Sequence, residues 1–177
     1  MRLEIVLWPD PVLLTRARPV EQVDDHLRAV VAEMRRVMFE LKGVGLAAPQ
    51  VGVPLRLMLV CPSGEPGDER VLLNPELVLG DGRQAGEEGC LSFPGIYGSV
   101  IRAQTARLRY RDLTWTAREM DVEGFLARIV QHEADHLDGR VFIDRMNPAD
   151  RLDAEPELLK LRTRFQERGG RSLAAGV

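Results

Sequence analysis

Apolar residues recur at every third or fourth position between residues 24 and 42, which predicts an amphipathic helix. Asp24 or Asp25 can cap the start of this helix, and Gly43 is a normal signal for its end. Because the apolar positions share one helical face, we expect that face to pack against a core. The face consists of Leu27, Val30, Val31, Met34, Val37, Met38 and Leu41.

Shorter apolar runs and alternating positions predict β-strands in the middle of the chain. The predicted strands are residues 55–60, 71–73 and 76–79, followed by two or three antiparallel strands between Gly98 and Arg118. Residues 111–114 make a plausible hairpin connection, and we expect a turn-rich loop over residues 81–86. Three prolines within residues 1–20 predict an extended N-terminal arm.

Two more helices are predicted in the C-terminal third of the chain. The first runs from about residue 122 to residue 137 and ends at Gly139. The second is polar, covers about residues 148–168 and is interrupted at Pro156. Together the elements predict an α+β fold in which antiparallel strands surround the 122–137 helix. The 24–42 helix packs outside the strands, and the polar helix comes last.

The composition is that of an ordinary globular protein. With 177 residues, 45% hydrophobic and 29% charged, the chain fits a single domain, with its motifs in about residues 1–147 and a polar helical tail over 148–177. A net charge of −3 argues against a nucleic-acid-binding face, so no specific DNA binding is expected. No apolar run approaches a membrane span, and the N-terminus lacks a signal-peptide pattern. With no sign of export, Cys61 and Cys90 are expected to be reduced, in a cytoplasm.

The segment 131–139 contains the pattern H-E-x-x-H. On a helix, His132 and His136 lie about 40° apart around the axis and one turn apart along it, so both imidazoles can reach one metal ion. Glu133 falls beside such an ion, where its carboxylate can take a proton from a water molecule. The chain has three histidines and two of them belong to this pattern. The pattern therefore predicts a hydrolytic metal site rather than two surface histidines.

A catalytic metal of this kind needs a third protein ligand. Phe142 occupies the position at which an extended form of the motif places another histidine, so that route fails. A downstream acid such as Asp144 or Glu155 remains open. Cys90 is the better candidate, because a thiolate with two imidazoles suits a divalent transition metal. The alternative for Cys90 is a small buried hydrophobic residue.

Residues 43–50, with the sequence GVGLAAPQ, form a tight and non-helical segment. The segment lacks the Lys-Ser/Thr pair of a phosphate-binding loop. It is either a connecting loop or a substrate-lining loop that ends in an amide donor, Gln50.

Three segments now stand together: GVGLAAPQ at 43–50, EGCLS at 88–92 and QHEADH at 131–136. In order and spacing they resemble the three motifs of the peptide deformylase family, and the likeness extends over about residues 1–147. The resemblance implies a metal-dependent hydrolase that removes the formyl group from the N-terminal formylmethionine of a nascent polypeptide and releases formate.

The resemblance also implies the roles of individual residues. One divalent metal ion would be held by Cys90, His132 and His136, with an open position for water. Ferrous iron is expected in cells, and zinc, nickel and cobalt are compatible with the same ligands. Glu133 would be the general base. An oxyanion hole would come from the Gln50 side-chain amide and the Leu91 backbone N–H.

The substrate peptide is expected to pair like an added strand, with Gly45 and Gly89 presenting backbone groups to it. Val44, Phe125 and Ile129 are expected to wall the methionine pocket, since positions 125 and 129 share the helix face of the histidines. Core packing is the alternative for each of these three.

Two features leave alternatives open. Arg128, one turn before His132, is either a solvated or tail-pairing side chain or a residue at the pocket rim. Residues 151–177 contain six Arg or Lys against four Asp or Glu. The resemblance implies a C-terminal helix that contacts the ribosome, and a solvated helix is the alternative.

Two other classes of protein compete with this interpretation. A zinc peptidase would take Glu or His as its third ligand and would leave Cys90 and the 43–50 segment unexplained. A structural metal site would need a fourth protein ligand, and none is apparent near the motif.

Overall fold

The computed structural model describes residues 2–172, while Met1 and residues 173–177, the ends of the predicted arm and tail, lie outside the described residues. The chain is an α+β protein with antiparallel sheets, which confirms the predicted class. Its helices are α1 (Asp25–Glu40), α2 (Gly124–Leu137), α3 (Pro148–Asp153) and α4 (Glu155–Glu167). Its strands are β1 (Gly45–Ala47), β2 (Leu57–Val60), β3 (Arg70–Leu79), β4 (Arg83–Gly89), β5 (Tyr97–Ala103), β6 (Thr105–Arg111) and β7 (Ala117–Glu123). Short 3-10 helices lie at Pro11–Leu14, Ala48–Val51 and Phe142–Asp144.

The strands form two antiparallel sheets. One has five strands in the order β1-β2-β3-β6-β7, and the other is a ribbon of β4 and β5. The two strand pieces predicted around Asn74 are joined in β3, whose pairing with β6 shifts register between Leu73 and Glu76. Asn74 has a φ of 49° at this irregularity, a conformation that Asn tolerates well. Its side-chain amide bonds both the N–H and the carbonyl of Val20 at 2.8 Å, which fixes the irregularity against the N-terminal arm.

The prediction of a loop over residues 81–86 is wrong for residues 83–86, which belong to a strand. Strand β4 begins at Arg83 and pairs with β5 in continuous register as far as Gly89. The strand is hard to recognise because only Glu88, a charged residue, is fully buried along it. Its regularity comes from pairing with β5, where Val100 and Arg102 are buried, and not from an apolar pattern of its own.

Helix α1 confirms the predicted amphipathic helix. Asp24 caps it by accepting a hydrogen bond from the Leu27 N–H at 2.8 Å. The predicted apolar face is buried from Leu27 to Met38, whereas Leu41 forms the C-cap and is exposed. Helix α2 begins at Gly124, slightly later than predicted, because the preceding residues belong to β7. It contacts strands of both sheets, so the histidines on it lie where the sheets meet.

Helices α3 and α4 confirm the predicted interruption near Pro156, with Ala154 between them. Leu158 and Leu161 of α4 are buried in a cluster that includes Trp8 of the N-terminal arm and Phe93. The last helix is therefore packed onto the body of the fold. Within residues 2–172, none of the helices combines the length and the apolar content that crossing a membrane requires.

Candidate metal centre

Three side chains predicted as metal ligands meet at one point. Helix α2 carries His132 and His136, and Cys90 directly follows β4. One ligand atom from each residue lies within 4.8 Å of the other two, and Cys90 Sγ is 3.3 Å from His136 Nε2. A sulfur and two imidazole nitrogens in this arrangement suit a divalent transition metal.

The protonation of the imidazoles also fits a metal site. Burial lowers the pKa of His136 well below its ordinary value, so this ring is neutral and has a lone pair to offer. Burial also disfavours a charged His132, but Cys90 and Glu88 outweigh that effect and hold the pKa of His132 well above its ordinary value. A positive charge is therefore favoured on the His132 ring, beside the Cys90 sulfur. A metal ion bound to His132 would compete with this proton.

Glu88 is a residue of this site to which no role was predicted from the sequence. Its Oε2 lies 2.9 Å from His132 Nδ1, and the carboxylate makes that nitrogen the donor. Arg102 donates to both carboxylate oxygens at 2.9 Å. Burial opposes the charged form of Glu88, but Arg102 and His132 keep its pKa far below the ordinary value. With Nδ1 bound to Glu88, His132 has Nε2 left for a metal.

A signal for Glu88 was present in the sequence. Glu88 belongs to the segment EGCLS and lies two residues before Cys90, a separation at which the side chains of an extended backbone point to the same side. Its partner Arg102 carries no comparable signal, because the two lie on different strands.

Glu133 lies beside the ligand atoms rather than among them. Burial raises the pKa of its carboxyl to about 7, and its Oε2 has no hydrogen-bond partner within residues 2–172. Gly45 packs directly on this side chain. A Cβ at position 45 would come within 2.9 Å of Glu133 Cδ and 2.9 Å of Ile129 Cγ2, so a larger residue would displace the carboxylate.

Gln50 is buried next to Cys90, in the 3-10 helix that follows β1. Its Oε1 accepts a hydrogen bond from the Ala47 N–H at 2.8 Å, which fixes the orientation of the amide. The amide nitrogen therefore faces the site, 3.3 Å from Cys90 Sγ and 3.5 Å from Ser92 Oγ. In the described part of the chain the nearby Leu91 N–H donates to no protein acceptor.

The site opens onto a cleft of about 750 Å³, a volume typical of ligand sites, and Gln50, Cys90, Leu91, His132 and Glu133 are among its lining residues. All the residues predicted to bind substrate line it, namely Val44, Gly45, Gly89, Phe125 and Ile129. Ile129 is buried, whereas Phe125 is 54% exposed. The N-terminal arm adds Ile5 and Leu7 to the lining, a contribution that no local pattern in the sequence indicates.

Of the two alternatives for Arg128, a solvated or tail-pairing side chain is wrong, and the observed position along the cleft agrees with the pocket-rim alternative. The residue is 6% exposed, lines the cleft and bonds the Glu88 carboxylate at 2.7 Å. Arginine is rarely buried, and the burial of Arg128 depends on a carboxylate that is distant in sequence, Glu88.

A buried carboxylate beside a Cys/His/His donor set, in a cleft, defines a hydrolytic metalloenzyme. Comparisons with known proteins specify the class further. The family model for polypeptide deformylase matches residues 2–152. A peptide deformylase of Rhodopirellula baltica is 42% identical over 172 residues, which is 96% of this chain and 86% of the relative.

Solved structures agree. A peptide deformylase of Arabidopsis thaliana superposes with a TM-score of 0.90 at 39% identity, over 99% of this chain and 98% of that one. One from Plasmodium falciparum gives 0.90 at 37% identity, over 93% and 98%. The chain belongs to the peptide deformylase family, metal-dependent hydrolases that remove the formyl group from the N-terminal methionine of nascent polypeptides. The predicted family is thus confirmed.

Proposed function

We propose that this chain hydrolyses the formyl amide of N-formylmethionyl peptides at the site built around Cys90, His132 and His136. In this reaction the formyl C–N bond breaks, a C–O bond to water forms, and formate and a free amino terminus leave. The observation that carries the proposal is the meeting of these three side chains within 4.8 Å, beside a buried Glu133.

Cys90, His132 and His136 would hold one divalent metal ion. When bound, such an ion supplies Lewis-acid chemistry, which polarises a carbonyl and lowers the pKa of water towards neutrality. We propose Fe²⁺ as the working ion in cells, with Zn²⁺, Ni²⁺ and Co²⁺ as ions that the same donors accept. The Glu88 carboxylate supports the assignment of His132, because metal-binding histidines usually donate their other ring nitrogen to such a group.

Glu133 would act as the general base. It would take a proton from the attacking water and return it to the departing amine. A pKa of about 7 supports both steps, since a group that titrates near the working pH accepts and releases a proton readily.

Gln50 and Leu91 would stabilise the negative charge that develops on the formyl oxygen. The support for Gln50 is its amide orientation, fixed by Ala47, which directs N–H groups towards Cys90. The support for Leu91 is a main-chain N–H without a protein acceptor in the described part of the chain. Preorganised donors of this kind stabilise a tetrahedral oxyanion more than the ground-state carbonyl.

The peptide would bind as an added strand along the cleft. β1 is an edge strand of the five-stranded sheet, and its residue Gly45 lines the cleft, as does Gly89 at the end of β4. Exposed strand edges offer unpaired main-chain groups to an extended peptide. Val44, Phe125 and Ile129 would enclose the methionine side chain.

We also propose, as a separate matter, that residues 1–177 form one domain and act in a cytoplasm. Unpaired Cys61 and Cys90 support a reducing compartment.

The C-terminal helix α4 would contact the ribosome, where nascent chains emerge. Sedimentation of the protein with and without ribosomes tests this contact, and a protein that stays in the supernatant in both cases would contradict it.

The reaction is tested by measuring formate released from formyl-Met-Ala-Ser, using protein purified without oxygen and analysed for metal. We expect formate to be released and Met-Ala-Ser to remain intact. Cys90→Ala should lose both metal and activity. Cleavage of the Met-Ala bond, or metal retained in full by Cys90→Ala, would favour a peptidase with another ligand set instead.

A further inference from the structure

Arg128 connects the helix that carries two of the proposed ligands to the strands that lead to the third. Its side chain starts on α2, one turn before His132. Its Nη2 donates to the Gln84 carbonyl at 2.9 Å, and its Nη1 donates to the Val100 carbonyl at 3.0 Å. Because Gln84 lies on β4 and Val100 on β5, one guanidinium spans both strands of the ribbon.

The same guanidinium holds Glu88 in place, through the 2.7 Å bond from Arg128 Nη1 to Oε1. Arg102 also bonds this carboxylate, but it is shared with Asp135. Among the ion pairs of residues 2–172, Glu88 is the single carboxylate partner of Arg128. Arg128 therefore acts on the carboxylate that orients His132.

Gly86 makes room for this arrangement. A Cβ at position 86 would lie 3.0 Å from Arg128 Nη2 and 3.1 Å from its Cζ, tighter than ordinary contact. Gly86 is not among the glycines with positive φ, so the position needs a small residue rather than an unusual backbone conformation. A two-stranded ribbon is marginally stable on its own, so its distance from α2 depends on bonds of this kind.

We propose that Arg128, packed against Gly86, is a positioning residue that sets the separation between α2 and the β4–β5 ribbon. It thereby holds Cys90 and His132 at the spacing that a metal ion requires. This inference rests on the ligand set of the proposed function. Arg128 is not one of the proposed ligands, and it acts through Glu88 and through main-chain carbonyls.

Co²⁺ binding provides the test, because the absorption of a Co²⁺-thiolate bond reports on Cys90 independently of turnover. Arg128→Met keeps the length of the side chain and removes its donors. We expect it to bind Co²⁺ about 10- to 100-fold more weakly in competition with a chelator, the usual effect of losing a residue that supports a ligand. The thiolate absorption should also shift. Arg109→Met, on the exposed face of β6, is the matched control and should behave as wild type.

Gly86→Ala is the second variant. It disturbs the packing of the Arg128 guanidinium against residue 86 and leaves Arg128 itself unchanged. It should weaken Co²⁺ binding in the wild-type background and add little in the Arg128→Met background, since the two residues act as a unit. Unchanged affinity and absorption in Arg128→Met would overturn the proposal, as would equal effects of Gly86→Ala in both backgrounds. If wild-type protein showed no thiolate absorption with Co²⁺, the proposed ligand set would fail instead.

Discussion

Replacing Glu88 by glutamine removes one charge from a buried cluster and keeps almost the same shape. The carboxylate accepts two hydrogen bonds from Arg102, one from Arg128 and one from His132. A glutamine offers one acceptor oxygen and directs an NH₂ group at the remaining donors, so at least one donor loses its partner. Arg128 would remain as a buried cation without its carboxylate.

Removing one member of a buried ion pair costs about 3–5 kcal/mol, because the other charge stays desolvated. In a domain of this size each kcal/mol lowers Tm by about 2–4 °C, so Glu88→Gln should lower it by about 6–20 °C. Urea unfolding of the metal-free protein measures the free energy of unfolding. The slope of that free energy against urea concentration should be unchanged. The matched control is Asp121→Asn, which breaks an exposed pair with Arg107 and should leave the midpoint unchanged.

A loss of stability below about 1 kcal/mol, the size of an exposed ion pair, would refute the reasoning. It would mean that the free-energy cost of desolvating Glu88 offsets the stabilisation that its hydrogen-bond partners contribute. The role of Glu88 would then be confined to orienting His132, and metal affinity would fall without a change in folding.

Three further substitutions test other contacts. Gly45→Ala should lower kcat/KM for formyl-Met peptides by about 100-fold, because it displaces the Glu133 carboxylate; turnover close to wild type would show that the carboxylate is not displaced. Phe125→Ala should raise KM with little change in kcat, and an unchanged KM would exclude Phe125 from the methionine pocket. Leu158→Ala should lower the free energy of unfolding in urea by about 2–5 kcal/mol, whereas Leu152→Ala, at an exposed position, should not change it measurably. Equal effects of the two variants would contradict the packing of α4 on the core.

Local spacing was enough to predict much of this molecule. The face of α1 follows from the period of its apolar residues, and the position of the histidines on α2 follows from four-residue spacing. The grouping of Cys90 with them rested on donor chemistry and on family resemblance. All of these signals lie within short segments of the chain.

The errors concern features that depend on distant partners. Strand β4 has few apolar positions and becomes regular through pairing with β5. Glu88, Arg102 and Arg128 are buried together although each of these residue types is ordinarily exposed. The position of Glu88 near Cys90 is a local signal, but no local pattern encodes the whole cluster, because its energy is favourable only when all the charges are assembled.

Proton transfer by Glu133, beside a metal held by other residues, is the central proposal for this protein. It is tested most directly by comparing wild-type protein with Glu133→Ala, both purified without oxygen, for metal content and for formate release from formyl-Met-Ala-Ser. We expect equal metal content and a fall in turnover of about 100- to 10,000-fold. Turnover that stays within about tenfold of wild type, less than a general base contributes, would contradict it.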